Sequence, residues 1–252
     1  HQGILDFKWD YIRTVESLAK SYEAGTIIIT ADGGSSYRKD IYPEYKANRK
    51  ERFADQTEQE QKEFEMFMAE FSSTLSELKK KYMVFQFKGV EADDIAAYIS
   101  MNLDKYSFQD CWLISSDKDW DLLINDRVSR FSTVTRKETT VYNWDDHYDF
   151  EIPEYITFKC LTGDKGDNVP GIPGVGPKRA VQLMEQYGNV FDIYDACPIN
   201  DRYKYIQNLN EHSEQLLMNV ELMDLITYCA EAIGDKNKDI IDSEIMRYVN
   251  GN

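Results

Sequence analysis

Acidic residues recur in this sequence as short clusters: GVEADD carries Glu91, Asp93 and Asp94, SSDKDWD carries Asp117 and Asp119, and TGDKGDN carries Asp164 and Asp167. A further aspartate, Asp32, stands before Gly33-Gly34. Each has an ordinary explanation taken alone. Acids in a helix's first turn complement its N-terminal partial charge, and an Asp beside glycine commonly closes an Asx turn. Taken together they point elsewhere. Carboxylates gathered without counterions repel by several kcal/mol, and hard oxygen donors select Mg²⁺ or Mn²⁺ over zinc. Two such ions, about 3.5–4 Å apart, activate a water and stabilise the leaving oxygen of an in-line displacement at phosphorus.

The elements expected to position these acids alternate. A helix over 10–24, with Ile12, Val15, Leu18 and Tyr22 on one face, precedes a buried strand over 26–31 that ends at Asp32. A helix over 63–81 leads to a strand over 83–87 and a helix over 89–103 whose first turn holds Glu91, Asp93 and Asp94. A strand over 111–116 ends at Asp117, and 126–132 with 139–144 reads as a later strand and hairpin partner. From 153 the chain reads as helical, broken by a loop over 163–177. This order predicts an α/β fold: a mostly parallel central sheet flanked by helices, with the acids at the strands' carboxyl ends. The expected division is an α/β core over 1–150 and a helical DNA-binding region over 151–252.

Two segments suit phosphate. In PEYKANRKERF, Lys46, Arg49 and Lys50 recur at helical spacing; Lys46 and Arg49 are candidate clamps on the scissile phosphate, and Tyr45 is a candidate base-stacking platform. A solvated charged helix face is the plainer explanation. In GIPGVGPKRA, Gly174 and Gly176 precede a helix opened by Pro177, with Lys178 and Arg179 in its first turn, where a cation opposes the helix dipole unless a phosphate compensates. The whole pattern predicts a helix-hairpin-helix over about 163–190 that grips duplex backbone without reading bases.

The net charge of −16 argues against a duplex binder if only the sum is considered. Its distribution matters more, because carboxylates that seat cations are compatible with phosphate contacts elsewhere. Cys111, Cys160, Cys197 and Cys229 form no C-x-x-C pair, so zinc sites and a disulfide framework are not expected. No apolar run reaches the length of a membrane span, and no signal peptide opens the chain. A cytoplasmic enzyme is expected, and the lack of heptads leaves a monomer the expected state.

EYKANR, GVEADD, SSDKDWD, GDKGDN and GIPGVGPKRA, in this order over about residues 10–230, resemble the motifs of the structure-specific 5′-nuclease (flap endonuclease) family, most closely its tailed-phage members. The resemblance implies cleavage of branched DNA with a free 5′ end, 5′→3′ exonuclease action, and roles in replication and repair. It implies a helical arch over about 40–75 and K⁺ on the hairpin carbonyls. Glu91, Asp93, Asp117 and Asp119 correspond to first-site ligands, and Asp164 and Asp167 to the second-site pair. Asp32 and Asp94 correspond to acids acting through water, and Lys46 and Arg49 to the arch cations. The family pattern opens with a strand and an Asp-Gly. This chain starts at HQGILDFKW with Asp6 in no such context, so an upstream segment of roughly 20 residues carrying one more strand is expected. Two alternatives compete with a flap nuclease: a DNA-structure-binding module without turnover, and a ribonuclease of the small acidic-nuclease type.

Overall fold

The computed structural model describes residues 6–251; HQGIL, Asn252 and the expected opening strand lie outside them. Helix α1 (Phe7–Ser21) packs Ile12 and Val15 against strand β1 (Ile28–Thr30) and against Phe71 and Leu75 of a later helix. The polar stretch that follows is helical: α2 (Ser36–Ile41), α3 (Ala47–Ala54) and α4 (Glu58–Leu78). Periodicity alone started the last helix at 63. Its true start is set by a capping box, in which the Thr57 hydroxyl accepts the Glu60 N–H and the Glu60 carboxylate accepts the Thr57 N–H. Helix α3 and the first half of α4 pack against no core, so they need no apolar stripe. Phe53 and Phe64 meet edge-on at 5.3 Å across them, both rings largely exposed.

Strand β2 (Met83–Phe85) pairs parallel with β1, placing Ile29 opposite Val84, and leads into α5 (Ala92–Met101). Strand β3 (Cys111–Ile114) pairs parallel with β4 (Val128–Phe131), and β5 (Glu138–Thr139) returns antiparallel. The parallel ladders expected from the alternation are therefore present; among the described residues they form two pieces, β1–β2 and β3–β4–β5, with the expected opening strand outside them. A cavity of about 600 Å³ lies between the two pieces, lined by Ile28, Thr30, Trp112 and Leu113 and by Leu18 and Tyr22 of the α1 side.

The second half holds α6 (Tyr155–Thr162), β6 (Gly163–Asp164), β7 (Val169–Pro170), α7 (Pro177–Tyr187), α8 (Val190–Ala196), α9 (Lys204–Glu211), α10 (Ser213–Met223), α11 (Leu225–Ile233) and α12 (Asp235–Val249). It departs from an all-helical reading only in the two-residue antiparallel ladder β6–β7. Leu161, Leu183, Ile193, Leu209 and Leu216 form its own core. Apolar packing also crosses the boundary between the halves, since Leu225 and Cys229 of α11 pack on Ala96 and Ala97 of α5. The four cysteines are free thiols.

Candidate metal centre and nucleic-acid interface

Three elements carry acids to one place. Asp117 and Asp119 begin the 3₁₀ turn Lys118–Leu123 after β3, and Asp117 Oδ1 accepts the Asp119 N–H at 2.9 Å. Asp164 lies in β6, and its Oδ1 accepts the Asp167 N–H at 3.1 Å. Gly163 lets the chain leave α6 for β6: its φ is +73°, and an added Cβ would stand 2.3 Å from Gly171 N. Asp119, Asp164 and Asp167 each offer one oxygen within 4.8 Å of the others, the one such group among the described residues. Asp93, in the first turn of α5, accepts the Trp120 indole N–H at 2.7 Å. Burial, with the Asp117 carboxylate nearby, pushes the Asp93 carboxyl up to about 8. Burial, with Asp117 and Asp164, pushes Asp119 up to about 7 against the pull of Lys159.

Cations interleave with these acids. Arg38, 3% exposed, donates to both oxygens of Asp94 at 2.7 and 2.8 Å, to Glu91 at 2.6 Å and to the Leu222 carbonyl at 2.6 Å. The Lys46 ammonium pairs with Glu91 and stands 3.9 Å from Asp167, while Arg49 donates to Asp167 at 2.8 Å. Glu91 is buried, yet Arg38 and Lys46 outweigh that burial and hold its carboxyl below the usual range. Lys159 of α6 reaches Asp119 at 3.1 Å and Asp164 at 3.2 Å.

The base of the α3–α4 segment is tied to the loop that carries Asp167. The Lys46 N–H donates to the Asp167 carbonyl at 2.8 Å, Asn48 Nδ2 to the Lys165 carbonyl at 2.9 Å, and Asn168 Nδ2 to the Glu44 carbonyl at 2.8 Å. Lys46 is held at φ +57°, a left-handed conformation unfavourable for a residue with a Cβ. Beneath the 3₁₀ turn, buried Arg130 forks onto Asp121 and donates to the Ser115 carbonyl, Tyr148 donates to Asp121, and Tyr155 donates to the Lys118 carbonyl. This buried network fixes the turn bearing Asp117 and Asp119.

The hairpin lies between α6 and α7. Gly174 turns at φ +82°, and Gly176 caps α7 with open space around it. Lys178 is exposed in the first turn of α7. Arg179 is exposed too, but its guanidinium donates to the Gly174 carbonyl at 2.8 Å and lies 4.5 Å over the Tyr205 ring, so it braces the turn.

Residues 8–149 match the model of the 5′-3′ exonuclease N-terminal resolvase-like domain, and residues 151–239 that of the 5′-3′ exonuclease C-terminal SAM fold. The chain belongs to the 5′-3′ exonuclease family. This nuclease is 42% identical to the flap endonuclease of Escherichia phage T5 over 238 residues, covering 94% of this chain and 81% of that one. The structure of the T5 5′-exonuclease with bound divalent metal ions (zinc) matches with TM-score 0.92 and 40% identity, over 96% of this chain and 91% of that one. The phage T5 flap endonuclease in a pseudo-enzyme–product complex with DNA and metal ions matches with TM-score 0.92 and 40% identity, over 97% and 91%.

The donor set of the nuclease suits hard divalent ions, since the oxygens of Asp119, Asp164 and Asp167 converge with no sulfur or imidazole among them. The triad draws one acid expected at the first site together with the two expected at the second. Two assignments need correction, those of Tyr45 and Asp94. Tyr45 is not a base-stacking platform: it is 4% exposed, packed with Val169 and Leu222, and its hydroxyl lies 3.2 Å from Glu91. Asp94 does not face the cleft, because Arg38 takes both its oxygens. Asp32 Oδ1 accepts the Ala92 N–H at 2.8 Å and so caps α5. Lys50 is exposed on α3, as is Arg49, whereas Lys46 is the half-buried residue that caps the start of that helix. Arg38, Lys159, Asp121 and Arg130 were not singled out from the sequence. For Lys159 a signal existed, a lone lysine in the apolar helix YITFKCLT.

Proposed function

We propose that this nuclease hydrolyses phosphodiester bonds in branched DNA with a free 5′ end, as a flap endonuclease with 5′→3′ exonuclease action, using two Mg²⁺ ions that Mn²⁺ can replace. The observation that carries the reading is the meeting of Asp119, Asp164 and Asp167 beside Lys46 and Arg49 at the base of an exposed helical segment. Ions bound there supply an activated water and neutralise charge on the phosphate. Asp119, Asp164 and Asp167 would hold one ion, with Asp93 and Asp117 available for a second; Glu91 would join them only by giving up its pairing with Lys46. Lys46 and Arg49 hold cationic groups at the cleft, where developing phosphate charge is stabilised without rearrangement at the moment of reaction. The exposed α3–α4 helices, with Lys50 exposed on α3, serve as the arch over a single strand.

The hairpin grips the downstream duplex through Lys178 and the open backbone at Gly176. A K⁺ ion on the hairpin carbonyls belongs to the same proposal, although the carbonyls of Ile172, Pro173 and Gly174 each already accept a hydrogen bond. An ion there would use their second lone pairs. No helix among the described residues is long and apolar enough to cross a membrane. The expected state is a cytoplasmic monomer, checked by sedimentation.

The test is cleavage of an end-labelled 5′-flap duplex with Mg²⁺, with excess EDTA, and with Asp164→Asn. Cleavage lost in EDTA and in the variant, with flap binding retained, is the expected result. Cleavage that persists in EDTA would sink the metal-assisted reading. Flap binding without turnover in Mg²⁺ would favour a binding module, and equal turnover of a matched RNA would favour a ribonuclease.

A further inference from the structure

Every acid of the triad is already matched to a cation. Asp167 has Arg49 and, at longer range, Lys46. Asp119 and Asp164 have Lys159, whose ammonium lies 3.1 Å from one and 3.2 Å from the other. We propose that Lys159 is a tethered counter-cation: it stands between Asp119 and Asp164 in the metal-free enzyme and is displaced when a divalent ion binds there. The proposal rests on reading the triad as a metal centre.

The geometry supports competition over sharing. Asp164 Oδ1 accepts the Asp167 N–H, so Oδ2 is the oxygen freer to ligate, and Oδ2 is the atom that Lys159 holds. A divalent ion ligated by both Asp119 and Asp164 would sit about 2.0–2.1 Å from their oxygens. An ammonium about 3 Å from the same oxygens would then face the ion across a gap too short for two positive charges. Helix α6 is anchored by fully buried Cys160 and Leu161, so the Lys159 backbone cannot retreat. Its side chain can, because four rotatable carbons carry the charge and the group is 18% exposed toward solvent. Arg38 differs, since it is clamped among Glu91, Asp94 and the Leu222 carbonyl and has no comparable freedom. Metal entry at the triad is thus an exchange of cations. Lys159 keeps the acids together before loading and weakens the apparent metal affinity by competing for them.

Calorimetric titration with Mn²⁺ alone, without DNA, tests this on the wild type, Lys159→Met and Lys159→Arg. The Met variant is expected to bind Mn²⁺ about tenfold tighter. Its melting temperature should be lower than wild type in EDTA and should rise more on adding Mn²⁺, whereas the Arg variant should keep the wild-type pattern. A second measurement needs no variant: acetylation of wild-type Lys159, read by mass spectrometry, should rise when Mn²⁺ replaces EDTA, with exposed Lys80 as the unchanged reference. A folded Met variant that binds Mn²⁺ no tighter than wild type overturns the proposal, as does acetylation indifferent to Mn²⁺. If wild type itself binds no Mn²⁺, the metal centre reading fails instead, so the two failures are distinguishable. If the Met variant does not fold, the acetylation result decides alone.

Discussion

Arg38 and Asp94 lie fork to fork in the interior, two guanidinium nitrogens meeting two carboxylate oxygens at 2.7 and 2.8 Å. The same guanidinium holds Glu91 and the Leu222 carbonyl, so one side chain joins the acid cluster to α10. Arg38→Met would leave two buried carboxylates without their partner, and about 3–5 kcal/mol of stability should be lost. Urea unfolding in EDTA measures this. Arg38→Lys should recover little, since a point charge cannot reproduce the fork. A loss under about 1 kcal/mol would show that the pair only breaks even against its desolvation.

Lys46 and Arg49 are expected to act on the reaction more than on binding. Lys46→Met should lower single-turnover cleavage of a flap about 100- to 1,000-fold with little change in the dissociation constant. Rapid-quench rates and anisotropy titrations in Ca²⁺ separate the two effects. A parallel weakening of binding would recast Lys46 as a general phosphate contact.

The metal-free enzyme should lose stability as pH rises. Asp93 is pushed up to about 8 and Asp119 to about 7 by burial and neighbouring carboxylates, whereas both titrate near 4 when unfolded. Between those values the folded chain holds more protons than the unfolded one, so stability falls from about pH 4 to about pH 8. Melting temperatures in EDTA across that window should decline from these groups, and saturating Mg²⁺ should restore the loss. Binding should also release protons, visible as a buffer-dependent heat. Flat stability from pH 4 to 8 with no proton release would contradict the assignment.

At the hairpin, Lys178→Ala should weaken duplex binding uniformly across sequences and reduce the salt slope by about one. Arg179→Ala should do more harm than a lost phosphate contact. Its guanidinium supports the Gly174 turn and covers Tyr205, so the hairpin loses shape as well as charge. Comparing log-log salt plots of the two variants tells them apart.

Asp32, Glu91, Asp93, Asp94, Asp117 and Asp119 were legible because each follows a strand or opens a helix, and Asp164 and Asp167 because they flank a glycine in the turn after α6. The family motifs and the helix-hairpin-helix were legible for the same reason. Their partners were not. Arg38 meets Leu222 from 184 residues away, and nothing in SYRKDI distinguishes it from a solvated arginine. Tyr45 was misread because an aromatic beside cations resembles a base platform until Val169 and Leu222 are seen to enclose it. The start of α4 was placed five residues late because a helix facing solvent carries no apolar stripe, although Thr57 and Glu60 marked its cap.

The foot of the α3–α4 segment is tied by Lys46, Asn48 and Asn168 to the loop that carries Lys165 and Asp167. Those exposed helices and the acids therefore share one backbone scaffold at that point. A shift of α3 would be felt first at Asp167, and an ion seated on Asp167 would in turn steady α3. Amide exchange at Lys46 that slows on adding Mn²⁺ without DNA would be the signature of that link.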